Sequence, residues 1–582
     1  MRKTKIVATL GPATDNAQTL KEIITAGINV ARMNFSHGSH EEHLERLNLF
    51  RNTCNELGVA LPVLLDTKGP EIRTGEFSEK VMLKTGTTFT IVHEDIIGNE
   101  TQCSVSYKDL HEDVKPGDRI LLDDGLIELV IQEIKGKDIV CKVSNDGLIS
   151  TKKSVNVPNV SINLTPLTDK DISDLKFACE NDFDFVALSF TRKATDVIEA
   201  KKVLKSFGGE DILIIAKIEN REGVDNIDEI ITVADGIMVA RGDLGVEIPY
   251  EQVPIIQHDL IKKCYKSGKS VITATQMLDS MIRNPRPTRA EVADISTAIF
   301  EGTSAIMLSG ETAMGKYPVE SVKTMAQVAT GIEQSINYWH KIKYYTPESL
   351  PTNVTDSISH ATCSTAMNLN ASAIVTVTTS GKTAKMISKF HPACPIVAVT
   401  PSKKVQRQLQ LSFGVFPVLS KMQNSTDELI LDAINCSLKT PYVAPGDMVV
   451  ITAGLPIGTS GTTNLLKAQI VGDIAGYGLG IGSGKVTGNL NIVSSVDDFD
   501  ADSFKAGDIL VTKYTLHEML PMMKKASAII VENSDKNGHA PITALALDIP
   551  VIIGVDNACN ILKNGTRATL DIDNGTIQYT SL

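Results

Sequence analysis

The chain has 582 residues, of which 42% are hydrophobic and 22% charged, and its formal net charge is −12 at pH 7. This length exceeds what one hydrophobic core serves, so we expect several domains. The negative charge argues against nucleic acid or an anionic membrane as the main partner, because both require a basic surface. Nine cysteines without a C-x-x-C pair indicate reduced thiols in a cytoplasmic protein. No segment is apolar over the ~20 residues that a membrane helix needs.

Short apolar, β-branched runs alternate with helix-like stretches, which predicts strands of a parallel sheet with helices between them. The predicted strands are 5–10, 27–36, 61–67, 185–190, 212–219, 236–242, 270–275 and 304–309. Eight such units close into a TIM (β/α)8 barrel, whose chemistry lies at the C-terminal ends of its strands. Polar and charged residues do accumulate at these predicted ends, so we expect an α/β fold with its site there.

The barrel pattern is interrupted between about 70 and 170, where turn signals separate strand-like stretches that include Arg119–Leu122 and Ile139–Val143. We interpret this region as an inserted β-barrel lid domain above the catalytic face. Helix and strand patterns alternate again after the barrel, and a glycine-dense stretch opens a last small domain. The expected domains are a barrel at 1–69 and 171–345, a lid at 70–170, an α/β domain at 346–471 and an extra domain at 472–582.

Charged residues at the predicted strand ends suit phosphoryl transfer. Lys217 and Glu219 are two apart on a strand, so both side chains point to one side, toward the barrel mouth. The carboxylate would hold Mg²⁺, and the ammonium would neutralise developing charge, although a structural ion pair is the alternative. Asp243 supplies a second carboxylate, and a helix turn after Gly242 would point N–H groups at a substrate carboxylate. Thr275 adds a hydroxyl at the next strand end.

Five longer stretches carry a family resemblance. They read ARMNFSHG at 31–38, DTKGPEIRTG at 66–75, AKIEN at 216–220, MVARGDLG at 238–245 and ATQML at 274–278. Together they closely resemble the motifs of pyruvate kinases, and the resemblance covers residues 1–470 in order. It implies transfer of the phosphoryl group of phosphoenolpyruvate to ADP, giving pyruvate and ATP, as the last step of glycolysis. It also implies a cytoplasmic homotetramer under allosteric control.

The same resemblance implies roles for individual residues. Arg32 would bind the phosphate of phosphoenolpyruvate, Lys217 would stabilise the transition state, and Thr275, through a water, would take part in protonating the enolate. Ligands implied in this way are Glu219 and Asp243 for Mg²⁺ (or Mn²⁺), Asn34, Ser36, Asp66 and Thr67 for K⁺, Gly242, Asp243 and Thr275 for substrate, and Arg73, Lys153, His37 and Asn34 for nucleotide.

Two lid positions depart from the family pattern. Ser154 and Asn159 stand where the family usually has glycine, so a required positive φ would strain them, with asparagine the more tolerant. Glu71 stands at a position where pyruvate kinases that depend on K⁺ have glutamate. Members with lysine at that position do without K⁺. An ammonium can replace the charge of the missing cation, whereas a carboxylate makes a phosphate site more negative. A solvated hinge residue is the alternative for Glu71.

A predicted strand at 373–379 leads into a helix through a possible phosphate cradle. A P-loop would need glycine where Thr376 stands, so that interpretation is poor. A cradle at the helix N-terminus remains, with a simple helix cap as the alternative. Pyruvate kinases of similar sequence bind a phosphorylated effector here, together with a loop that corresponds to 454–463. The cradle residues are Thr378, Thr379, Ser380, Gly381, Lys382 and Thr383.

The last domain resembles the swivelling phosphohistidine domain of phosphoenolpyruvate-utilising enzymes, with His539 in the phosphorylated position. Asn537 and Gly538 replace the threonine and serine that usually precede this histidine. We therefore interpret the domain as a relic with a structural or regulatory use rather than as a live phosphocarrier. The glycines between 478 and 484 are followed by a predicted strand at 485–494 rather than a helix. They therefore do not form a dinucleotide site, and we interpret them as turn glycines.

Two rival functions remain to be compared with this one. A phosphoenolpyruvate synthase or phosphate dikinase also joins a barrel to a swivelling histidine domain, but it requires a nucleotide-grasp domain for which no region is left. A regulatory homologue without turnover would have little reason to keep Lys217, Glu219 and Asp243.

Overall fold

The computed structural model describes residues 1–343, 353–423, 425–444, 447–454, 463–471, 474–494 and 504–579. The chain divides into two compact units. The first comprises Met1–Ser364, Thr376–Asn424 and Ala453–Leu465, and the second comprises Thr365–Val375, Ser425–Thr452 and Leu466–Leu582. Within the described ranges, no helix is long and apolar enough to cross a membrane.

Eight parallel strands close into a barrel in the first unit. They are Lys5–Thr9, Val30–Asn34, Val63–Asp66, Phe185–Leu188, Leu213–Ile218, Gly236–Ala240, Ser270–Ala274 and Ala305–Leu308. Neighbours in the barrel follow chain order, and the last strand pairs with the first, with Lys5 opposite Ala305. All eight predicted strands and the predicted barrel are confirmed, with each strand shorter than its predicted run. The runs are nearly continuous in apolar residues because helices cover the outside of the barrel and side chains fill its inside.

The barrel helices have sequence-encoded starts and stops. Ser39 and Glu42 form a capping box at one start, and Thr288 and Glu291 form another. Gly302, with a φ of +100°, ends the helix that Thr288 begins. The helices are Ala17–Ala26, His40–Leu57, Asp169–Glu180, Ala194–Ser206, Arg221–Asp225, Ile227–Val233, Arg241–Glu247, Val253–Ser267, Arg289–Glu301, Gly310–Ala313 and Pro318–Ser335.

An all-β insertion lies between the third and fourth barrel strands, as predicted. It contains a six-stranded and a two-stranded sheet around a core of its own, which includes Phe89, Ile120 and Leu129. Its strands are Val81–Leu83, Thr88–Val92, Gln102–Ser104, Arg119–Leu122, Ile127–Lys135, Asp138–Val143, Gly147–Ile149 and Val155–Asn156. The short helix Leu110–Asp113 connects two of them.

Helices and strands alternate after the barrel, which confirms the predicted α/β pattern. The strands are Ala373–Val377, Ile396–Thr400, Val415–Leu419, Met448–Gly454 and Thr463–Ile470, and the helices are Tyr338–Lys343, Val354–Asn368, Lys382–Ser388, Lys403–Gln408 and Thr426–Ser437. Within the first unit, Ile396 lies opposite Val415 in a parallel strand pair.

The second unit contains an eight-stranded mixed sheet. Its strands are Ile474–Tyr477, Leu479–Ile481, Lys485–Val493, Ile509–Thr512, Ala528–Val531, Val551–Ile553, Arg567–Asp571 and Thr576–Tyr579, and its helices are Leu520–Met523, His539–Ala546 and Ala558–Ile561.

The glycines that begin this sheet have two different roles. Gly482 and Gly484, with φ of +108° and +88°, are turn residues as predicted. The turn interpretation is wrong for Gly480, which lies inside the strand Leu479–Ile481. A Cβ at Gly480 would lie 1.8 Å from the backbone oxygen of Ile572, so close backbone approach requires glycine there.

Candidate active site

Lys217 lies at the centre of a buried ion-pair network at the C-terminal ends of the barrel strands. Its Nζ is 2.9 Å from Glu219 Oε1 and 3.0 Å from Asp66 Oδ1. It also donates a hydrogen bond of 2.7 Å to Ser189 Oγ. Asp66 and Glu219 are almost completely buried. The predicted placement of Lys217 and Glu219 on one side of their strand is therefore confirmed by direct contact.

Asp66 connects Lys217 to a second buried cation, Arg32. Its Oδ2 accepts a hydrogen bond of 2.7 Å from Arg32 Nε, and Arg32 Nη1 donates to Thr9 Oγ1 at 2.9 Å. Burial acts to raise the pKa of Asp66, but the charges of Arg32 and Lys217 outweigh it and lower the pKa. The ionised carboxylate thus holds a guanidinium and an ammonium side by side, a charge arrangement that suits a phosphoryl group.

The electrostatics of this network favour an added cation. Burial acts to lower the pKa of Lys217, but Asp66 and Glu219 raise it, so the ammonium stays charged. Burial raises the pKa of both Glu219 and Asp243, and the charge of Asp243 raises that of Glu219 further. A divalent cation bound to both would remove their repulsion.

The donor set fits Mg²⁺ by number and type. Over the described part of the chain, His, Cys, Asp and Glu side chains form no metal-binding group of three or more. Mg²⁺ needs no such group, because it usually takes one or two protein carboxylates and completes its shell with water and substrate oxygens. Glu219 and Asp243 supply that number.

Thr275 occupies a strained turn at the end of its strand. Thr275 and Gln276 have φ of +67° and +56°, in the left-handed region that a β-branched residue rarely adopts. The Thr275 hydroxyl accepts a hydrogen bond of 2.9 Å from the Gly242 N–H and donates one of 2.6 Å to the Ala274 carbonyl. The structure therefore brings the predicted substrate residues Gly242 and Thr275 into direct contact.

Arg241 holds this turn from outside, a role that the sequence did not reveal. Its guanidinium donates to the carbonyls of Ala274 and Thr275 at 3.1 and 2.7 Å. It also forms a two-pronged ion pair with Asp294, with distances of 2.6 and 2.7 Å. Asp294 lies on the helix Arg289–Glu301, far along the chain, so no local pattern connects it to Arg241.

Ser189 is a second site residue that the sequence did not single out. Its Oγ accepts the hydrogen bond of Lys217 and donates to the Thr67 carbonyl at 2.6 Å. The next residue, Phe190, has a φ of +53°, and its N–H donates to Glu219 Oε2 at 2.6 Å. A residue in the left-handed region therefore contacts the site carboxylate directly through its backbone. The run of 185–190 had predicted only a strand.

The four oxygen-bearing residues predicted for K⁺ lie at the ends of two adjacent strands. Asn34 pairs with Asp66 in register. The Asn34 Oδ1 accepts a hydrogen bond of 3.1 Å from the Ser36 N–H, and Thr67 Oγ1 accepts one of 3.1 Å from the Ser189 N–H. Both oxygens of Asp66 already contact cationic side chains.

The residues predicted to bind nucleotide line different cavities. His37 and Asn34 line one of about 760 Å³ together with Arg32. Arg73 lines another of about 870 Å³ between lid and barrel, together with Asp243.

Each of the two lid cations predicted for nucleotide binding pairs with a lid carboxylate. Arg73 Nη2 is 2.6 Å from Glu71 Oε2, and Lys153 Nζ is 2.8 Å from Asp123 Oδ1.

Comparison with known proteins shows the family of the chain. The model of the pyruvate kinase barrel domain matches residues 1–322, and that of the pyruvate kinase alpha/beta domain matches residues 356–469. The chain belongs to the pyruvate kinase family. The model of the mobile domain of PEP-utilising enzymes matches residues 504–575, which accords with the predicted resemblance of the last domain.

Similar pyruvate kinases match over most or almost all of the chain. One from Bacillus licheniformis is 49% identical over 580 residues, covering 99% of both chains. One from Geobacillus stearothermophilus is 48% identical over 573 residues, covering 98% of this chain and 97% of its own. One from Clostridium acetobutylicum is 54% identical over 473 residues, covering 81% of this chain and all of its own.

The two lid positions that depart from the pyruvate kinase pattern behave differently. Asn159 has a φ of +63°, so the expected left-handed backbone occurs there. Ser154 is not among the described residues with positive φ. Its hydroxyl donates to Asp124 Oδ1 at 2.6 Å and accepts from the Asp124 N–H at 2.7 Å. The serine therefore adds lid hydrogen bonds that glycine could not supply.

The predicted effector cradle has the backbone of a helix start. Gly381, with a φ of +80°, directly precedes the helix Lys382–Ser388, and its N–H donates to Thr378 Oγ1 at 2.9 Å. The hydroxyls of Thr383 and Thr463 are 3.0 Å apart. Of the predicted loop 454–463, residues 455–462 lie outside the described residues.

His539 is the first residue of the helix His539–Ala546. Its Nδ1 forms a hydrogen bond of 2.8 Å with Thr515 Oγ1. The sequence made no prediction about the secondary structure at this histidine, and its interpretation as a relic stays a prediction.

Proposed function

We propose that the barrel mouth carries out the pyruvate kinase reaction with the following division of roles. The reaction transfers the phosphoryl group of phosphoenolpyruvate to ADP and gives pyruvate and ATP. The observation that carries the proposal is the contact of Lys217 with both Asp66 and Glu219, beside Arg32. This arrangement supports the proposal because two cations and a carboxylate that could hold a metal ion lie in mutual contact.

Arg32 and Lys217 would bind the phosphoryl oxygens of phosphoenolpyruvate. Lys217 would also lie near the enolate oxygen as the bond to phosphorus breaks, because Glu219 and Ser189 hold its ammonium in place. A preorganised charge of this kind requires no solvent reorganisation during the transfer. Most of the rate acceleration would then come from positioning and charge neutralisation.

Glu219 and Asp243 would hold Mg²⁺ (or Mn²⁺), and Asn34, Ser36, Asp66 and Thr67 would hold K⁺. The metal ions would supply positive charge against the phosphate and carboxylate oxygens of the substrates. The residues of the chain would meanwhile orient phosphoenolpyruvate, with the Gly242 backbone and the Thr275 hydroxyl beside it.

Thr275 is the candidate for the proton step. Its hydroxyl hydrogen is directed to the Ala274 carbonyl, so donation toward the enolate would require rotation of that hydroxyl, with a water as the proton source. Arg241 would keep the turn in place during this step, since it binds both adjacent carbonyls.

ADP would bind between lid and barrel through Arg73 and Lys153. His37 and Asn34 line a separate cavity, so lid closure would have to bring them to the same nucleotide. The phosphates of ADP would replace Glu71 at Arg73 and Asp123 at Lys153, because a cation exchanges one anionic partner for another at small net cost. The lid would close as this exchange takes place.

Regulation and assembly follow the pattern of the family in this proposal. A phosphorylated effector would bind the cradle from Thr378 to Thr383 of a cytoplasmic homotetramer, where symmetric assembly permits cooperative control.

The proposed domain boundaries are 1–69 with 171–345 for the barrel, 70–170 for the lid, 346–471 for the α/β domain and 472–582 for the extra domain.

The test is a coupled assay of pyruvate formation from phosphoenolpyruvate and ADP in the presence of Mg²⁺ and K⁺. We expect turnover that needs ADP and does not need AMP with phosphate. A phosphoenolpyruvate synthase would instead need AMP with phosphate, and a phosphate dikinase would need AMP with pyrophosphate. A regulatory homologue would bind phosphoenolpyruvate without turnover.

A further inference from the structure

A segment without helix or strand leads from the lid back to the barrel. This return segment, residues 157–168, lies between the lid strand Val155–Asn156 and the barrel helix Asp169–Glu180. The side chains of Ile162 and Leu164, near its middle, pack against the core of the lid. Any movement of the lid would therefore carry this part of the chain with it.

The backbone of the return segment is bound by a barrel side chain, Arg192. Its Nη1 donates a hydrogen bond of 2.7 Å to the Ile162 carbonyl, and its Nη2 donates one of 2.7 Å to the Leu164 carbonyl. A planar guanidinium suits this task, because it holds several donors in a fixed geometry. Ile162 and Leu164 thus belong to the lid through their side chains and are tied to the barrel through their backbone.

Packing alone does not fix the return segment. Four residues, Ser161, Ile162, Leu164 and Arg192, line the cavity of about 870 Å³ between lid and barrel. The same four residues line a second cavity of about 550 Å³. A segment bordered by two cavities has fewer packing contacts to hold it, so its hydrogen bonds contribute more to its position.

Arg192 is itself held in place. It is only 9% exposed, and its Nε lies 3.6 Å from Asp196 Oδ2. The same oxygen accepts a hydrogen bond of 2.9 Å from the Arg192 N–H, and the Arg192 carbonyl accepts one of 3.0 Å from Asn226 Nδ2. Because both its charge and its backbone are bound, a displacement of the return segment would act on the Arg192 backbone.

The loop that contains Arg192 also contacts the site at the barrel mouth. This loop follows the fourth barrel strand and begins at Ser189. Ser189 Oγ accepts the hydrogen bond of 2.7 Å from Lys217 Nζ, and the Phe190 N–H donates one of 2.6 Å to Glu219 Oε2. One short loop therefore joins the lid to the site ammonium and to a carboxylate that could hold a metal ion.

We propose that Arg192 is a positioning residue that couples the lid to the carboxylate of Glu219, an inference that rests on the proposed binding of Mg²⁺ by Glu219. Closure of the lid would displace the carbonyls of Ile162 and Leu164, and Arg192 would pass this displacement to the loop. The direction of the Phe190 N–H, and with it the carboxylate oxygen that it binds, would change as the lid closes. Arg192 would act through Phe190 rather than by contact with the reacting atoms.

The experiment compares the full-length parent with Arg192→Met by hydrogen exchange and by Mn²⁺ titration without substrates. We expect faster exchange in peptides of the return segment and in peptides that contain Phe190. The affinity for Mn²⁺ should fall by about 10-fold, the scale for loss of a group that orients a metal ligand. Arg119→Met is the matched control, because it removes an exposed lid arginine that lies 3.5 Å from Glu128, and it should change neither quantity.

ADP provides a direct test of the coupling. Added without phosphoenolpyruvate, ADP should slow exchange in the return segment and around Phe190 together in the parent. In Arg192→Met the effect around Phe190 should be lost. A residue that merely supports the fold would not change which segments respond to the nucleotide.

Faster exchange in the return segment, with unchanged exchange around Phe190 and unchanged Mn²⁺ affinity, would overturn the coupling and leave Arg192 as a support of the lid alone. Glu219→Gln tests the proposed function separately. If that variant binds Mn²⁺ as the parent does, the metal role is wrong, and the exchange around Phe190 then decides the coupling by itself. Arg192→Lys keeps the charge beside Asp196 but replaces the two N–H groups at the carbonyls by one ammonium. It should show smaller changes in the same direction, and it keeps the test valid if Arg192→Met does not fold.

Discussion

At the scale of single residues, the site depends on cations held in place by shared carboxylates. Asp66 contacts both Arg32 and Lys217, so removal of either cation leaves a buried, partly uncompensated carboxylate. Breaking a buried pair from one side is costly, and some destabilisation is therefore expected alongside any loss of catalysis. Activity has to be interpreted together with a folding control.

Replacing Lys217 by Met keeps the volume of the side chain and removes its charge. We expect kcat to fall by at least ~10²-fold, the scale for loss of one preorganised donor, while Mg²⁺ binding is largely retained. Steady-state kinetics and Mn²⁺ titration measure the two quantities, with Lys266→Met as the control. Near-normal turnover in a folded Lys217→Met would contradict the assigned role.

Glu71 is expected to make activity depend on K⁺. The structure shows it half-buried and paired with Arg73 rather than free in solvent. In the proposed complex its carboxylate would add negative charge near phosphate oxygens, so a cation would be needed, whereas a lysine would supply that positive charge itself. We expect the parent to lose most of its turnover when Na⁺ or tetramethylammonium replaces K⁺ at equal ionic strength, and Glu71→Lys to keep it.

Glu71→Gln is the matched control for this experiment, because it releases Arg73 without adding an ammonium. It should remain dependent on K⁺. Full activity of the parent without K⁺ would remove the argument, and a Glu71→Lys that still needed K⁺ would show that another residue is the determinant.

At the scale of elements, the turn at Thr275 and Gln276 is held in place by a helix that follows it in the chain. Asp294 on the helix Arg289–Glu301 orients Arg241, which in turn binds the carbonyls on both sides of the strained residue Thr275. This arrangement explains how a β-branched residue keeps a φ of +67°. The cost of such a conformation, of order 1–3 kcal/mol, must be offset by surrounding contacts.

Asp294→Asn should therefore weaken the use of phosphoenolpyruvate. We expect kcat/KM for phosphoenolpyruvate to fall about 10-fold, as for loss of a hydrogen bond to a charged group, while KM for ADP stays within about 2-fold. Asp228→Asn breaks an exposed pair with Lys263 and serves as the control. An equal fall for both substrates would indicate general damage to the fold instead of a positioning role.

The helix start at Lys382 is expected to bind the phosphate of an effector. Lys382→Ala and Thr383→Ala should raise the effector concentration for half-maximal response by about 10-fold or more, because each removes a donor to an anion. Maximal activity should stay similar, since both residues lie outside the barrel mouth. Saturation curves with phosphorylated sugars and nucleotides measure the response, and Lys403→Ala is the control. If no phosphorylated metabolite shifts the curve of the parent, the assignment is wrong.

At the scale of the whole molecule, the second unit carries His539, which the sequence resemblance aligns with the phosphorylated position of a phosphohistidine domain. Thr515 fixes the Nδ1 of His539 and the ring lies at a helix start, yet the residues before it differ from the usual pattern. In the proposed mechanism the barrel mouth supplies the groups that the reaction needs. We therefore expect phosphoryl transfer not to depend on His539.

His539→Ala should leave phosphoryl transfer unchanged, with kcat within about 2-fold of the parent, since no step proposed here uses it. The direct measurement incubates the full chain with labelled phosphoenolpyruvate and assays acid-labile phosphohistidine, with His517→Ala as a control for the exposed histidine nearby. Label that is lost only in His539→Ala would show a live phosphocarrier.

Much of this architecture was readable from the sequence because its signals are local. Each barrel strand is a short apolar run bounded by helix patterns, and burial on both faces produces such a run. The same-side placement of Lys217 and Glu219 follows from the two-residue period of a strand. Motifs that span eight or ten residues identified the family, because a site built from strand ends keeps its ligands in short stretches of chain.

Other features became apparent only in the tertiary structure. Arg241 and Asp294 lie on separate elements, and Ser189 meets Lys217 across two strands, so no local pattern connects either pair. Sequence comparison marked Ser154 and Asn159 alike, whereas backbone geometry strains Asn159 alone. Local chemistry thus determined the barrel and its reaction, while long-range packing decided which side chains position the site.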